Sequence, residues 1–250
     1  MILTIAQREL RSLFLSPLAW VILAVVQIIL AWSFFTSLDV FFNIQNELRT
    51  MKNAPGVTDL VISPLYEVAS IVLLMITPLL TMRLISEEKR NHTISLLYSA
   101  PISLTEIVLG KYLGLLFFIF ALLALIILMP LSLQIGTELD MEKLFSGALG
   151  LFLVLASFSA AGLYMSSLTD NPMIAAISTF GLLLLLWMLN ASVDSAADGT
   201  SVLNYLSIHT HFTTLLRGIL STRDIAFFLL FISGFIVLTI RQLETQRLQS

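Results

Sequence analysis

The chain has 250 residues, of which 58% are hydrophobic and only 12% charged, with a formal net charge of −3. So apolar a composition excludes a soluble globular domain, and apolar runs longer than the roughly 18 residues of a membrane span make this an integral membrane protein. The absence of cysteine excludes disulfides and thiolate metal sites, and no polar segment is long enough to bury a core of its own.

Residues 1–16 read as an N-terminal amphipathic interfacial helix. Leu3, Ala6, Leu10, Leu13 and Phe14 fall on one side, with Gln7, Arg8, Arg11 and Ser12 opposite. Such a helix lies along the cytoplasmic membrane surface with its basic side toward headgroups and water. A signal peptide is the competing reading, but the apolar run that follows is too long for one and lacks a small-residue cleavage site. Pro17 ends this helix before a first span at about 18–37, where Gln27 is the one clearly polar mid-span side chain and is expected to hydrogen-bond between helices. From 38 to 65 the chain is polar and turns at Asn53–Gly56. Val40, Phe41, Ile44, Leu48 and Met51 share one face of a predicted surface helix there.

The second span, at about 66–84, is short. Only Val68–Met82 is free of charge, and about 15 residues reach only about 22 Å. Glu67 and Arg83 are therefore placed at the two interfaces, with Arg83 snorkelling outward and Pro78 expected to kink the helix. A charged island follows, Arg83 to Lys111. Read as a helix, it puts Glu88, His92, Ser95 and Ser99 in one polar stripe, with Ile94, Leu96, Leu97 and Ala100 opposite and Pro101 as the stop. This is either an element built to be pushed from outside the membrane or an ordinary solvated loop.

Three long uncharged runs then give spans at about 107–133, 144–168 and 172–190, the last two joined by a tight turn at Thr169–Pro172. Gly110 and Gly114, and the pairs Ala156/Ala160 and Ser157/Ala161, favour close helix contact, within one subunit or between two. In the polar segment 191–224, Tyr205, Ile208, Phe212, Leu215, Leu216 and Ile219 form the apolar face of an outer amphipathic helix. A final span at about 225–240 leads into a charged tail. The expected architecture is thus all-α, a single transmembrane domain of six spans over residues 1–250. Arg8, Arg11, Arg83, Lys89, Arg90, Lys111, Arg241 and Arg247 on one side, against Arg49, Lys52, Lys143, Arg217 and Arg223 on the other, put both termini in the cytoplasm.

Chemistry is sparse. There is no phosphate-binding G-x-x-x-x-G-K-[ST] loop and no H-E-x-x-H zinc motif. His209 and His211 diverge if they lie on a helix. No span carries an interior acid of the kind that relays protons or ions. The expectation is a non-enzymatic chain with no cofactor and no metal.

The chain resembles the type-2 ABC transporter permease family. The likeness rests on Arg8-Glu9-Leu10 and Ser16-Pro17 before the first span, and on Pro78 to Arg83 followed by Glu87-Glu88-Lys89-Arg90, Thr93, Leu96-Leu97, Ala100-Pro101, Glu106 and Gly110-Lys111. The six-span layout adds to it. Asn91-His92 departs from the pattern, where the family usually has a glycine. Within the family the sequence is most similar to gliding-motility permease subunits of the GldF type, through the same Ser-Pro and Pro-Leu-Leu-Thr-Met-Arg runs and Leu206 to Phe212 with Arg217-Gly218.

The resemblance implies a permease subunit of an ATP-driven exporter in a bacterial inner membrane. Its coupling helix would seat on a separate cytoplasmic ABC ATPase, which holds the ATP and Mg, through Glu87, Glu88, Lys89, Arg90, Thr93, Leu96, Leu97, Tyr98 and Pro101. It implies a second permease subunit, identical or different, and a partner with an extracytoplasmic domain, in a lipid setting and without nucleic acid. A haem-exporter-type permease and a non-transporting membrane anchor are the alternatives.

Overall fold

The computed structural model describes residues 1–48, 56–93, 103–135, 139–188 and 207–249, which are helical almost throughout with no strand among them. Helix α1 (Ile2–Leu15) ends where Ser16 turns extended, and Pro17 opens α2 (Pro17–Leu48). Proline suits that first helical position because the N–H it lacks has no partner there anyway. The indole Nε1–H of Trp20 donates to the Phe14 carbonyl at 2.8 Å and fixes the corner.

Helix α2 runs straight through the region read as a separate surface helix. Its 32 residues are about 48 Å long, well beyond the hydrocarbon thickness of about 30 Å. The stripe Val40, Phe41, Ile44 is therefore the continuation of the span, with Phe41 turned into the core; Met51 lies outside the described residues. Gln27 also departs from expectation, because its Nε2 is buried without a hydrogen-bond partner.

A π-helical turn (Thr58–Ile62) leads directly into α3 (Ser63–Thr81). The second span is accordingly longer than its uncharged stretch, since it starts eight residues earlier than Tyr66 and the chain stays helical or turned as far as Arg90. After a turn at 82–85 comes the five-residue α4 (Ser86–Arg90). Here the structure corrects the long stripe Glu88–His92–Ser95–Ser99. The helix stops at Arg90 because His92 adopts a left-handed φ of 55°. The His92 N–H reaches back to the Lys89 carbonyl (3.1 Å) and the Thr93 N–H to that of Glu88 (3.0 Å), the paired closure of a Schellman cap. Ile94 to Ile102, with Ser95, Leu96, Leu97, Tyr98, Ser99 and Pro101, lie outside the described residues.

Helix α5 (Leu104–Ser132) begins with a capping box. The Ser103 Oγ accepts from the Glu106 N–H and the Glu106 carboxylate from the Ser103 N–H, each at 3.2 Å. Asp140 caps α6 (Met141–Leu168) and the Asn171 side chain caps α7 (Pro172–Met188). Ser207 caps α8 (Ile208–Leu216), and α9 (Thr222–Gln249) absorbs most of the tail expected beyond residue 240. Five helices, α2, α3 with its flanks, α5, α6 and α9, are long and apolar enough to cross a membrane; α7 is apolar but has 17 residues.

Helix α6 is the axis of the bundle, packed by α3, α5, α7, α8 and α9. Its small residues permit this. Ala156, Ser157, Ala160 and Ala161 are all buried within the subunit. A Cβ on Gly162 would fall 2.7 Å from Thr81 Cβ, and one on Gly150 2.9 Å from Leu215 Cβ. The outward sides of α2, α7 and α9 carry exposed Trp32, Ile177 and Leu230, as a lipid-facing perimeter should.

Candidate functional site

The described charged residues of the island are organised at the α1 end of the bundle. Helix α1 does more than lie beside the spans. A Cβ on Gly110 would sit 2.7 Å from Ile5 Cβ and one on Gly114 2.9 Å from the Ala6 carbonyl. The two glycines are thus the seat of α1 on α5, where any side chain would push it off. Ile5, Leu10, Leu13 and Phe14 pack inward, while Leu3, expected on the same face, is 71% exposed. Arg8 and Arg11 are exposed.

That seat places Glu9 over Lys111. The Lys111 ammonium lies 2.8 Å from Glu88 Oε1 and 3.4 Å from Glu9 Oε2, with only 6% of its side chain exposed. One cation therefore ties α1, α4 and α5 together. A lysine this buried needs such partners, because its desolvation is otherwise uncompensated.

The opposite side of α4 is held by α6. Ser166 Oγ accepts the Ile85 and Ser86 N–H groups, both at 3.1 Å, and donates to the Met82 carbonyl at 3.1 Å. Lys89 is buried, its ammonium donating to the Ser167 carbonyl and lying 4.0 Å from Asp170. A lysine at the last carbonyls of a helix also meets the negative end of its dipole. Adjacent residues of α4 thus point to different helices, Glu88 to α5 and Lys89 to α6. Of the residues read as partner contacts, Glu87 and Arg90 are exposed. Thr93 closes the cap, and its hydroxyl donates to the Glu88 carbonyl at 3.2 Å.

Between α1, α4 and α5 lies a cavity of about 340 Å³, whose charged lining includes Arg8, Glu9, Arg83, Glu87, Glu88 and Lys111. Among the described residues no cluster of His, Cys, Asp or Glu could hold a metal ion. The arrangement cross-links α4 to α1 and α5 through Lys111 and to α6 through Ser166 and Lys89. Glu9, Lys111, Ser166 and Ser167 were not among the site residues legible in the sequence. The one available signal was Lys111 itself, a charge beside two glycines at the head of an uncharged run.

Residues 3–247 match the family described as ABC-2 family transporter protein. The chain belongs to that family. It is a multi-pass membrane permease component of an ABC transporter, in a family whose permeases associate with ABC ATPase subunits and are typically non-enzymatic. No curated protein matches the chain.

At the far end of this ABC-2 permease, α8 is docked more firmly than an amphipathic surface helix requires. Ile208, Phe212, Leu215 and Leu216 are buried; Ile219 lies beyond the helix end and is 57% exposed, because the chain turns at Gly218 with φ 83°. Tyr205 lies outside the described residues. The Ser146 hydroxyl donates to the Leu215 carbonyl at 2.8 Å. His211 Nδ1 is 2.6 Å from Asp224 Oδ1, both side chains buried, and the ring stacks on Phe227 with centroids 4.1 Å apart. His209 points elsewhere, edge-on to Trp187, so the two histidines do diverge. Burial pushes the His209 imidazole down from its usual value, partly opposed by the Glu67 carboxylate.

Proposed function

We propose that the chain is the permease subunit of an ATP-driven exporter, with six spans and both termini in the cytoplasm of a bacterial inner-membrane protein. On this reading α7 is the fifth span, and residues 86–103 are the coupling element seated on a separate ATPase. The single observation that carries it is the double tie of α4. A push on the exposed Glu87 and Arg90 is delivered through Glu88 and Lys111 to α5 and α1, and through Lys89 and Ser166 to α6. Two spans and the interfacial helix are then moved by one short helix, the kind of rigid-body transmission that domain closure uses. Leu96, Leu97, Tyr98 and Pro101 complete the ATPase contact in this reading. A second permease subunit faces the transport path, and α8 caps that path on the outer side. The likeness to gliding-motility permeases makes a partner with an extracytoplasmic domain part of the proposal.

The test is purification of the chain from native membranes in mild detergent, with its partners identified by mass spectrometry. A soluble P-loop ATPase is expected to accompany it and to be lost when Glu87, Arg90, Leu96 and Leu97 are replaced by alanine. A folded wild-type chain that brings down no ATPase would overturn the coupling assignment and leave a membrane anchor as the better account. Retention of the ATPase with turnover insensitive to the permease would do the same.

A further inference from the structure

An open groove of about 790 Å³ separates the end of α3 and α4 from the first two turns of α7. Its floor is apolar. Leu79 comes from α3, and Met173, Ala176 and Ile177 from one face of α7 at the three- and four-residue spacing of neighbours on a helix. Leu79, Met173 and Ile177 are all exposed, so the floor opens sideways to the surrounding hydrocarbon.

The rim at the α1 end is cationic. Arg83 and Arg90 both line it, and among the described residues neither is within ion-pair distance of a carboxylate. Among the described residues Glu87 is the only carboxylate in the lining, against two arginines, leaving that part of the rim net positive by one charge. Lys89 adds nothing here, because it is turned inward to Ser167 and Asp170. Helix α7 begins at this rim, and the dipole of its 17 residues contributes partial positive charge.

A cationic rim over an apolar trough at the membrane edge has the two-part complementarity of a lipid. Guanidinium groups take phosphate oxygens bidentately, and an acyl chain already in the membrane can lie along an apolar floor in van der Waals contact without exposing polar groups. We propose that this groove is a binding site for an anionic phospholipid of the adjoining leaflet. Its phosphate sits between Arg83 and Arg90, and one acyl chain lies along Leu79, Met173 and Ile177. The groove shares Glu87 and Arg90 with the ATPase contact proposed above, so lipid retention is read on the permease chain by itself.

The experiment is native mass spectrometry of the full-length chain released from micelles doped with equal dioleoyl phosphatidylglycerol and dioleoyl phosphatidylcholine. The wild-type chain is expected to retain the anionic lipid about tenfold over the zwitterionic one. Arg83→Gln with Arg90→Gln should reduce the preference to within about twofold. Arg83→Lys with Arg90→Lys, which keeps charge and solubility should the glutamine variant not fold, should retain a weakened preference because an ammonium cannot bind bidentately. Met173→Gln with Ile177→Gln should lower retention of both lipids. Equal retention of the two lipids by wild-type protein, or an undiminished preference in a folded glutamine variant, overturns the proposal. So does displacement of the lipid by millimolar inorganic phosphate, which would mark a site for free anions instead.

Discussion

Replacing Lys111 with methionine removes the one cation that two carboxylates share, while keeping the length and apolar stem of the side chain. Glu9 and Glu88 are then left facing each other, with 20% and 24% of their side chains exposed. Their oxygens can be no more than about 6 Å apart, and at an effective dielectric of about 20 two such charges repel by about 3 kcal/mol. Breaking a buried pair from one side costs about 3–5 kcal/mol, but the partial exposure of both acids allows rehydration. A loss of about 2–3 kcal/mol is the expected result, read as a drop in the thermal midpoint of detergent-purified protein. The control is the triple variant Glu9→Gln, Glu88→Gln, Lys111→Met, which carries no unpaired charge and should recover most of that loss. Recovered stability with ATP hydrolysis no longer coupled to transport would mark the network as a transmission element. A methionine variant as stable as wild type, or a triple variant no better than the single one, would refute the account of Lys111 as the tie between three helices.

Gly114→Leu should unseat α1 and destabilise the fold by about 1–3 kcal/mol or more, since even a Cβ there meets Glu9 Cβ at 2.7 Å; Gly181→Ala, with nothing within 4 Å, is the neutral control in the same melt. Ser166→Ala strands the Ile85 and Ser86 N–H groups, so a loss of about 1–3 kcal/mol is expected, with faster amide exchange confined to α4 and its flanks. At His92 the left-handed backbone predicts the order Gly and Asn above Ala above Val in thermal midpoint, with β-branched residues worst. His209 titrates below its usual value in the folded chain, so the unfolded chain binds more protons as pH falls through about 6.5. Its contribution is therefore present above that pH and lost below it. His209→Gln should flatten the acid limb of the midpoint-versus-pH curve, and an unchanged limb would show that other groups carry it.

Individual residues show what could be read in advance. Gly110 and Gly114 announced a close helix contact, because only a missing side chain lets backbones approach. Which helix came there was undecided until α1 was seen seated on them. The amphipathic pattern of Ile208 to Leu216 announced a buried face, yet Asp224, which partners His211, lies thirteen residues away on another helix. The Val40 stripe misled for the opposite reason. A polar stretch on an apolar helix reads as a loop, but helical hydrogen bonds are local and continue wherever nothing breaks them.

The sequence by itself determined the membrane as solvent, the helical class, the approximate places of the long apolar helices and the location of the charged island. All of these depend on composition and on periods of a few residues, which a linear chain displays directly. The end of α4 was also written locally, in the Asn91-His92 departure, although it took the backbone to show a histidine accepting a glycine's conformation. Tertiary structure alone decided that Lys111 would gather Glu9 from 102 residues earlier and Glu88 from the neighbouring turn. It alone decided that Lys89 would face Ser167 while Arg83 and Arg90, with no carboxylate in ion-pair reach among the described residues, line the mouth of a groove. Ion pairing and desolvation depend on distances between residues far apart in the chain, and packing around α6 sets those distances.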